Sequence, residues 1–267
     1  MKDVRFDFTG RCVVVTGAGN GIGAACARLF AASGARVALW DVDVAAAGRI
    51  AAGFDASGQQ AQPVACNVAR QGDVDAALAA TLAAFGRVDI LINNAGIFRA
   101  GDFLAVSEAD WDAVIDVNLK GAFLVGQAVA RAMATSGGGA IVNMSSVNGV
   151  TAIPGIASYN ASKGAIDQLT RAMALALADM GIRVNAVAPG TIATELAKQA
   201  VLGSAEAEAR IMSRTPLRRL GDPDEVAAVC AFLASDAASY MTGEIVYVDG
   251  GRLALNYTVP VKDGALD

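Results

Sequence analysis

The chain has 267 residues, 54% of them hydrophobic and 18% charged, with a formal net charge of −5. That length and apolar content suit a single α/β domain with a large buried core, and the acidic balance argues against nucleic acid or an anionic membrane surface as a partner. The chain contains no histidine, which removes His-dependent triads and the usual zinc enzymes, so no metal site is expected and proton transfer must use another group.

In chain order, the opening MKDVRFDFTGR carries charges and no apolar run, so no secretory signal is expected there. RCVVVTG (11–17) reads as a buried strand, followed by a helix from about Gly21 to Ser33. ARVALWD (35–41), AQPVACNV (61–68), VDILINNAG (88–96), GAIVNMSS (139–146), IRVNAVAPG (182–190) and EIVYVDGG (244–251) continue the strand series. Helical stretches at 70–85, 108–135, 160–180 and 223–235 lie between most of them. Strands apolar throughout and separated by helices imply a parallel sheet covered on both faces. With right-handed crossovers this predicts a doubly wound, Rossmann-like α/β fold of about seven strands. Residues 1–267 read as one domain, interrupted by a long insertion at 191–214 with the character of a substrate lid. The uncharged stretch 132–162 is too rich in Gly, Ser and Asn to span a bilayer. Cys12, Cys26, Cys66 and Cys230 are widely spaced without a CxxC, as buried thiols of a reducing cytoplasm would be.

The stretch TGAGNGIG (16–23) stands where the first strand turns into the first helix. Gly17, Gly21 and Gly23 permit a tight turn and close backbone approach to a ligand, and the helix start offers N–H groups to a pyrophosphate. Asp41 ends the second strand, 18 residues after Gly23. A carboxylate there accepts both hydroxyls of an adenosine ribose and repels a 2′-phosphate, so NAD is expected over NADP. Further along, Tyr159 and Lys163 lie four apart, one turn of a helix, at the far end of the uncharged stretch, with Lys163 its first charge. An ammonium so placed, together with the positive nicotinamide of NAD⁺, favours the tyrosinate and would make Tyr159 a usable base.

These motifs resemble the short-chain dehydrogenase/reductase family over residues 8–251, nearly the whole chain. Gly17, Gly21 and Gly23 match its TGxxxGxG, Asn93-Asn94-Ala95-Gly96 its NNAG, and Asn118 its catalytic-asparagine segment. Ser146 stands 13 residues before Tyr159, Tyr159 and Lys163 form its YxxxK, and Pro189-Gly190 with Thr194 matches its PGxxxT. Ser145, beside Ser146, is assigned to finishing the strand. The resemblance implies a catalytic set of Asn118, Ser146, Tyr159 and Lys163. It implies NAD contacts at Gly17, Asn20, Gly21, Ile22, Gly23, Asp41, Asn67, Val68, Asn94, Gly96, Tyr159, Lys163, Pro189, Gly190, Ile192 and Thr194. Asn67 replaces the family's usual Asp beside the adenine; its oxygen can still accept from the adenine amine. Tyr159 would take the hydroxyl proton, Ser146 would hold the substrate oxygen, Lys163 the nicotinamide ribose, and Asn118 a relay water. Around the reacting carbon, 97–103, 147–155 and 191–214 are expected to wall the pocket, with Asn148 and Arg99 as substrate contacts beside Thr151, Glu195, Leu196 and Lys198. Hydrogen-bonding groups among apolar ones suggest a sugar, polyol or sugar-acid dehydrogenase, acting on a secondary alcohol or a sugar hemiacetal. A 3-oxoacyl-thioester (acyl-carrier-protein) reductase is the alternative. A nucleotide-sugar epimerase/dehydratase would need a larger substrate domain, and a non-catalytic NAD sensor usually lacks one of the four residues. The apolar helices 108–135 and 160–180, together with the family pattern, imply a homotetramer whose tail 252–267 reaches a neighbour.

Overall fold

Every position of Cys12–Thr16 (β1) is buried, and alternate side chains feed two separate cores: Val13 and Val15 on one face of the sheet, Cys12 and Val14 on the other. Arg36–Asp41 (β2) repeats the pattern, with Val37 and Leu39 on the first face and Ala38 and Trp40 on the second. Apolar runs without polar alternation are what a strand covered on both sides requires. The remaining strands are Ala61–Ala65 (β3), Ile90–Asn93 (β4), Gly139–Met144 (β5), Ile182–Pro189 (β6) and Ile245–Val248 (β7). All pair in parallel, in the order β3-β2-β1-β4-β5-β6-β7. This is the expected doubly wound sheet of seven strands. The computed structural model describes residues 5–55, 60–195, 197 and 205–255. Of the expected lid, Leu196 and residues 198–204 lie outside the described residues, as does the tail beyond 255.

The helices are Gly21–Ala32 (α1), Val44–Asp55 (α2), Gln71–Phe85 (α3), Glu108–Ile115 (α4), Gly121–Thr135 (α5), Ala157–Leu177 (α6), Ala205–Met212 (α7) and Pro223–Ala234 (α8). Local chemistry sets several ends. Asp222 accepts from the Asp224 N–H while Glu225 accepts from the Asp222 N–H, a capping box with Pro223 in the first turn of α8. The helix expected over 108–135 is present with one departure. Between α4 and α5, Asp116–Lys120 winds as a π turn, and Asn118 within it is buried. The wider turn inserts one residue into the helical ladder, a feature frequent at functional sites.

Two features of topology place the site. The chain winds β1→β2→β3 in one direction and then returns to lay β4 on the other side of β1. The crevice at the carboxyl ends of β1 and β4 is therefore the topological switch point, where open α/β sheets bind ligands. The opposite end of these strands is held by Asp89, only 2% exposed, whose carboxylate accepts from the Cys12 N–H at 2.8 Å and pairs with Arg87 at 2.6 Å. Asp89→Ala strands that N–H and leaves Arg87 without its carboxylate, so chemical denaturation should show a loss of about 3 kcal/mol. A loss below about 1 kcal/mol would assign Asp89 no structural weight.

Candidate active site

The glycine loop follows β1 and is braced by the segment after β4. Thr16 Oγ1 accepts from the N–H groups of Asn94 and Ala95 at 2.9 and 3.0 Å, and Asn94 Nδ2 donates to the carbonyls of Thr16 and Gly17 at 3.0 and 3.3 Å. Gly17 has φ 64°, and a Cβ there would lie 3.0 Å from Asn94 Nδ2; at Gly23 it would collide with the Gly17 carbonyl. Backbone thus packs on backbone, leaving the start of α1 open. A cleft of about 420 Å³ runs over it, lined by Gly17, Asn20, Gly21, Ile22, Asp41, Asn67, Val68, Asn94, Gly96 and Thr194 among others. Most of the residues expected to hold NAD are brought together here. Asp41 Oδ2 accepts from the Gly19 N–H at 2.8 Å and Oδ1 from the Asp43 N–H at 2.9 Å, which aims the carboxylate. No Lys or Arg lines the cleft among the described residues. Asn67 Oδ1 already accepts from the Ala69 N–H at 3.1 Å, so an adenine amine would share that oxygen.

The cleft continues into a cavity of about 180 Å³ where Ser146, Tyr159 and Lys163 converge, together with Pro189, Gly190 and Ile192. Ser146 follows β5 and its Oγ accepts from the Asn148 N–H at 3.2 Å. Tyr159, in the first turn of α6, is hydrogen-bonded to Ser146, and its ring meets Phe98 edge-on with centroids 6.0 Å apart. Lys163 Nζ lies 5.5 Å from the Tyr159 ring centroid and donates to the Met144 carbonyl at 2.7 Å. The π turn points Asn118 at the same end of the sheet. Its Oδ1 accepts from the Ile97 N–H at 2.8 Å, while Nδ2 donates to the Ile97 carbonyl at 3.0 Å and to Ser162 Oγ at 3.1 Å. The side chain of Asn118 is thereby engaged with the protein.

The electrostatics depart from the sequence expectation. Burial pushes the Tyr159 phenol above its ordinary value, and the hydrogen bond with Ser146 pulls it back in part. Burial also brings the Lys163 ammonium down to about 8, opposed by the charge of Asp167. The lowering of Tyr159 expected from the YxxxK spacing is therefore not supplied by the chain's own groups. The physical reason is that both side chains sit in a water-excluding wall, where desolvation is the largest influence on each.

Asp167 was not singled out in the sequence. One turn beyond Lys163 and 4% exposed, it receives a 2.5 Å hydrogen bond from Ser145 Oγ and packs against Gly149. Ser145 thus does more than finish β5. Burial raises the Asp167 carboxyl, and Ser145, Arg171 and Lys163 pull it down. Asp167→Asn removes the charge that holds the Lys163 ammonium up, so Lys163 should deprotonate below its present value of about 8. A lysine is charged below its pKa, so the alkaline limb of the kcat/KM–pH profile should move to lower pH, with little change two units below it. An unmoved limb would separate Asp167 from Lys163.

Asn148, 6% exposed, lines the cavity as expected for a substrate contact. Arg99 does not: its side chain is 58% exposed and its Nε lies 3.8 Å from Asp110 Oδ1. Of the other expected wall residues, Ile153 lines the cavity, Thr151 bonds the Val147 carbonyl and is not among the lining residues, and Lys198 lies outside the described residues. Arg252, which was assigned to a tail reaching a neighbour, instead lines this cavity and lies 3.4 Å from Thr191 Oγ1. The four cysteines are buried free thiols, as expected.

A family model described as enoyl-(acyl carrier protein) reductase matches residues 17–252. The chain is 46% identical over 250 residues to the galactitol 2-dehydrogenase (L-tagatose-forming) of Cereibacter sphaeroides, covering 92% of this chain and 96% of the relative. It is 40% identical to a 3-oxoacyl-[acyl-carrier-protein] reductase of Thermotoga maritima, covering 91% and 97%. Among solved structures, a gluconate 5-dehydrogenase of Burkholderia cenocepacia in complex with NADP and tartrate superposes with a TM-score of 0.90 at 40% identity, covering 94% of this chain and 98% of that one. Similarity of this extent, carried by the same sheet, shows that the chain is an oxidoreductase and belongs to the short-chain dehydrogenase/reductase family.

Proposed function

We propose that this enzyme oxidises a secondary alcohol of a sugar, polyol or sugar acid, or a sugar hemiacetal, with NAD⁺ as the acceptor. The observation that carries the NAD assignment is Asp41, held by two backbone N–H groups at the edge of a cleft whose described lining has no cation. A 2′-phosphate would meet a fixed carboxylate there with nothing to offset it. The NADP in the Burkholderia structure belongs to that protein; its bearing on this chain is what the test decides. The glycine loop fits a dinucleotide: a Cβ at Gly17 would press on Asn94 and Ala95 and one at Gly23 on the Gly17 carbonyl, so only glycines let the loop fold closely enough to leave the start of α1 open. When bound, NAD⁺ supplies a hydride acceptor and a positive charge. The chain's own part is the proton and the position. Ser146 donates to the substrate oxygen and steadies the charge that develops on it. Tyr159 takes the hydroxyl proton as the carbinol hydride leaves, Lys163 supports the tyrosinate by its charge, and Asn118 closes the relay towards solvent.

The sugar reading rests on a cavity that sets Asn148, Thr191 and Arg252 among Ile153, Ile156 and Phe98, with 46% identity to a galactitol dehydrogenase behind it. The apolar wall and the 40% identity to an acyl-carrier-protein reductase keep the thioester reading as the second one. A panel of aldoses, alditols, aldonates and 3-oxoacyl thioesters, each with NAD(H) and NADP(H), separates them. The account expects NADH from a member of the first three classes; reduction of the thioester alone would replace it.

We further infer a cytoplasmic homotetramer. The four reduced thiols suit that compartment, and Phe123 on α5 and Leu175 on α6 are 44% and 84% exposed on the helices expected to pair. Light scattering should give about four times 27.0 kDa, and an active species at the monomer mass would refute the assembly.

A further inference from the structure

We propose that Arg252 is the recognition residue for a carboxylate on the substrate, which makes the substrate of this site a sugar acid and not a neutral polyol. This rests on the proposed sugar chemistry and names its class. Arg252 and Lys163 are the two cations lining the cavity, and no Asp or Glu lines it among the described residues. Lys163 is already engaged by the Met144 carbonyl and faces Asp167. Arg252 is not so engaged. Among the described residues its guanidinium makes one long hydrogen bond, 3.4 Å to Thr191 Oγ1, and no carboxylate lies within ion-pair distance of it.

Burial and a neighbouring cation deepen the need for an anion. Arg214 repels Arg252, and Asp249 attracts it, while burial weighs against its charge. The Asp249 carboxylate, however, is spent on the turn that carries Arg252: Oδ1 accepts from the Gly251 N–H and Oδ2 from the Leu253 N–H, both at 2.8 Å. A half-buried guanidinium with most of its five donors unspent on described residues is costly to keep and is the group best shaped to grip a carboxylate with two parallel hydrogen bonds. The turn after β7 holds Arg252 on the wall formed by Thr191, in the same cavity as Ser146 and Tyr159. A polyhydroxylated acid could present its carbinol to Tyr159 and its carboxylate to Arg252.

The test compares matched pairs that differ in the acid group, gluconate against glucitol for turnover and tartrate against threitol for binding to the NADH complex. Wild-type enzyme should prefer gluconate in kcat/KM. Arg252→Gln should raise the KM for gluconate by about 30-fold and erase the preference for acid over alditol, with Arg252→Lys between the two. Calorimetry should show tartrate binding the wild-type NADH complex and lost in Arg252→Gln, with threitol indifferent to the change. Equal use of gluconate and glucitol by the wild type would overturn the proposal. So would a loss of NADH affinity in Arg252→Gln, which would make the cofactor the anion concerned. If no sugar, alditol or aldonate is turned over, the proposed function has failed; the carboxylate subsite then stands or falls on tartrate binding alone.

Discussion

Tyr159→Phe is expected to lower kcat by about 10³-fold while NADH binds with unchanged affinity. The variant keeps everything the ring does for packing, since Phe98 meets the ring edge and Lys163 lies over its face. It deletes only the hydroxyl that bonds Ser146. The other hydroxyls nearby already have local tasks: Ser162 Oγ donates to the Tyr159 carbonyl at 2.8 Å, and Ser145 Oγ is committed to Asp167. Neither is placed to take over the proton. Retention of most of kcat would move the base elsewhere. Because burial raises the Tyr159 phenol more than Ser146 lowers it, the wild-type rate of alcohol oxidation should climb with pH through the neutral range, and the climb should vanish in the Phe variant.

The second large effect is a change of cofactor. Asp41→Ser combined with Val42→Arg should shift the NAD/NADP preference by about 10²-fold towards NADP, a difference of about 3 kcal/mol. Asp41 gives up its fixed carboxylate, and Val42 is 77% exposed beside it, so an arginine there can reach a 2′-phosphate without displacing core. Like charges held a few ångströms apart near a protein surface differ from opposite ones by several kcal/mol, of which screening by salt takes a share. Steady-state kinetics with both cofactors measures it. A wild-type enzyme that already prefers NADP tenfold would refute the electrostatic reading of Asp41.

Much of this architecture was legible in the residues, and the parts that were not share a cause. The strands could be read because apolar runs such as CVVVT have no other use in a chain of this kind, and the glycine loop because only glycine tolerates the turn at Gly17. The pairing of Ser146 with Tyr159 followed from spacing and resemblance, and the structure brings both into one cavity. What escaped depends on contacts between distant segments. Asp167 stands four residues after Lys163, a visible spacing, yet nothing local says that α6 turns it inward against Ser145 and Gly149. Arg252 lay in a segment read as a tail because the sequence cannot show that the turn at Asp249 folds it back over Thr191. Arg99 was read into the pocket from its place after NNAG, whereas its loop carries it out towards Asp110. The burial that raises the Tyr159 phenol was hidden for the same reason: the count of charges along the chain said nothing of how deeply Tyr159 and Lys163 would be desolvated, which leaves the lowering to the charge of bound NAD⁺.

The central claim is that a carbinol hydride passes to nicotinamide beside Ser146, Tyr159 and Lys163. The most direct measurement uses the best substrate of the panel, carrying deuterium on the carbinol carbon, with NAD⁺ and wild-type enzyme. The account predicts that the deuterium lost from the substrate appears in the NADH formed, with none released to water, and that kcat/KM falls with the heavier isotope. Deuterium appearing in solvent, or product formed without an equivalent of NADH, would contradict it.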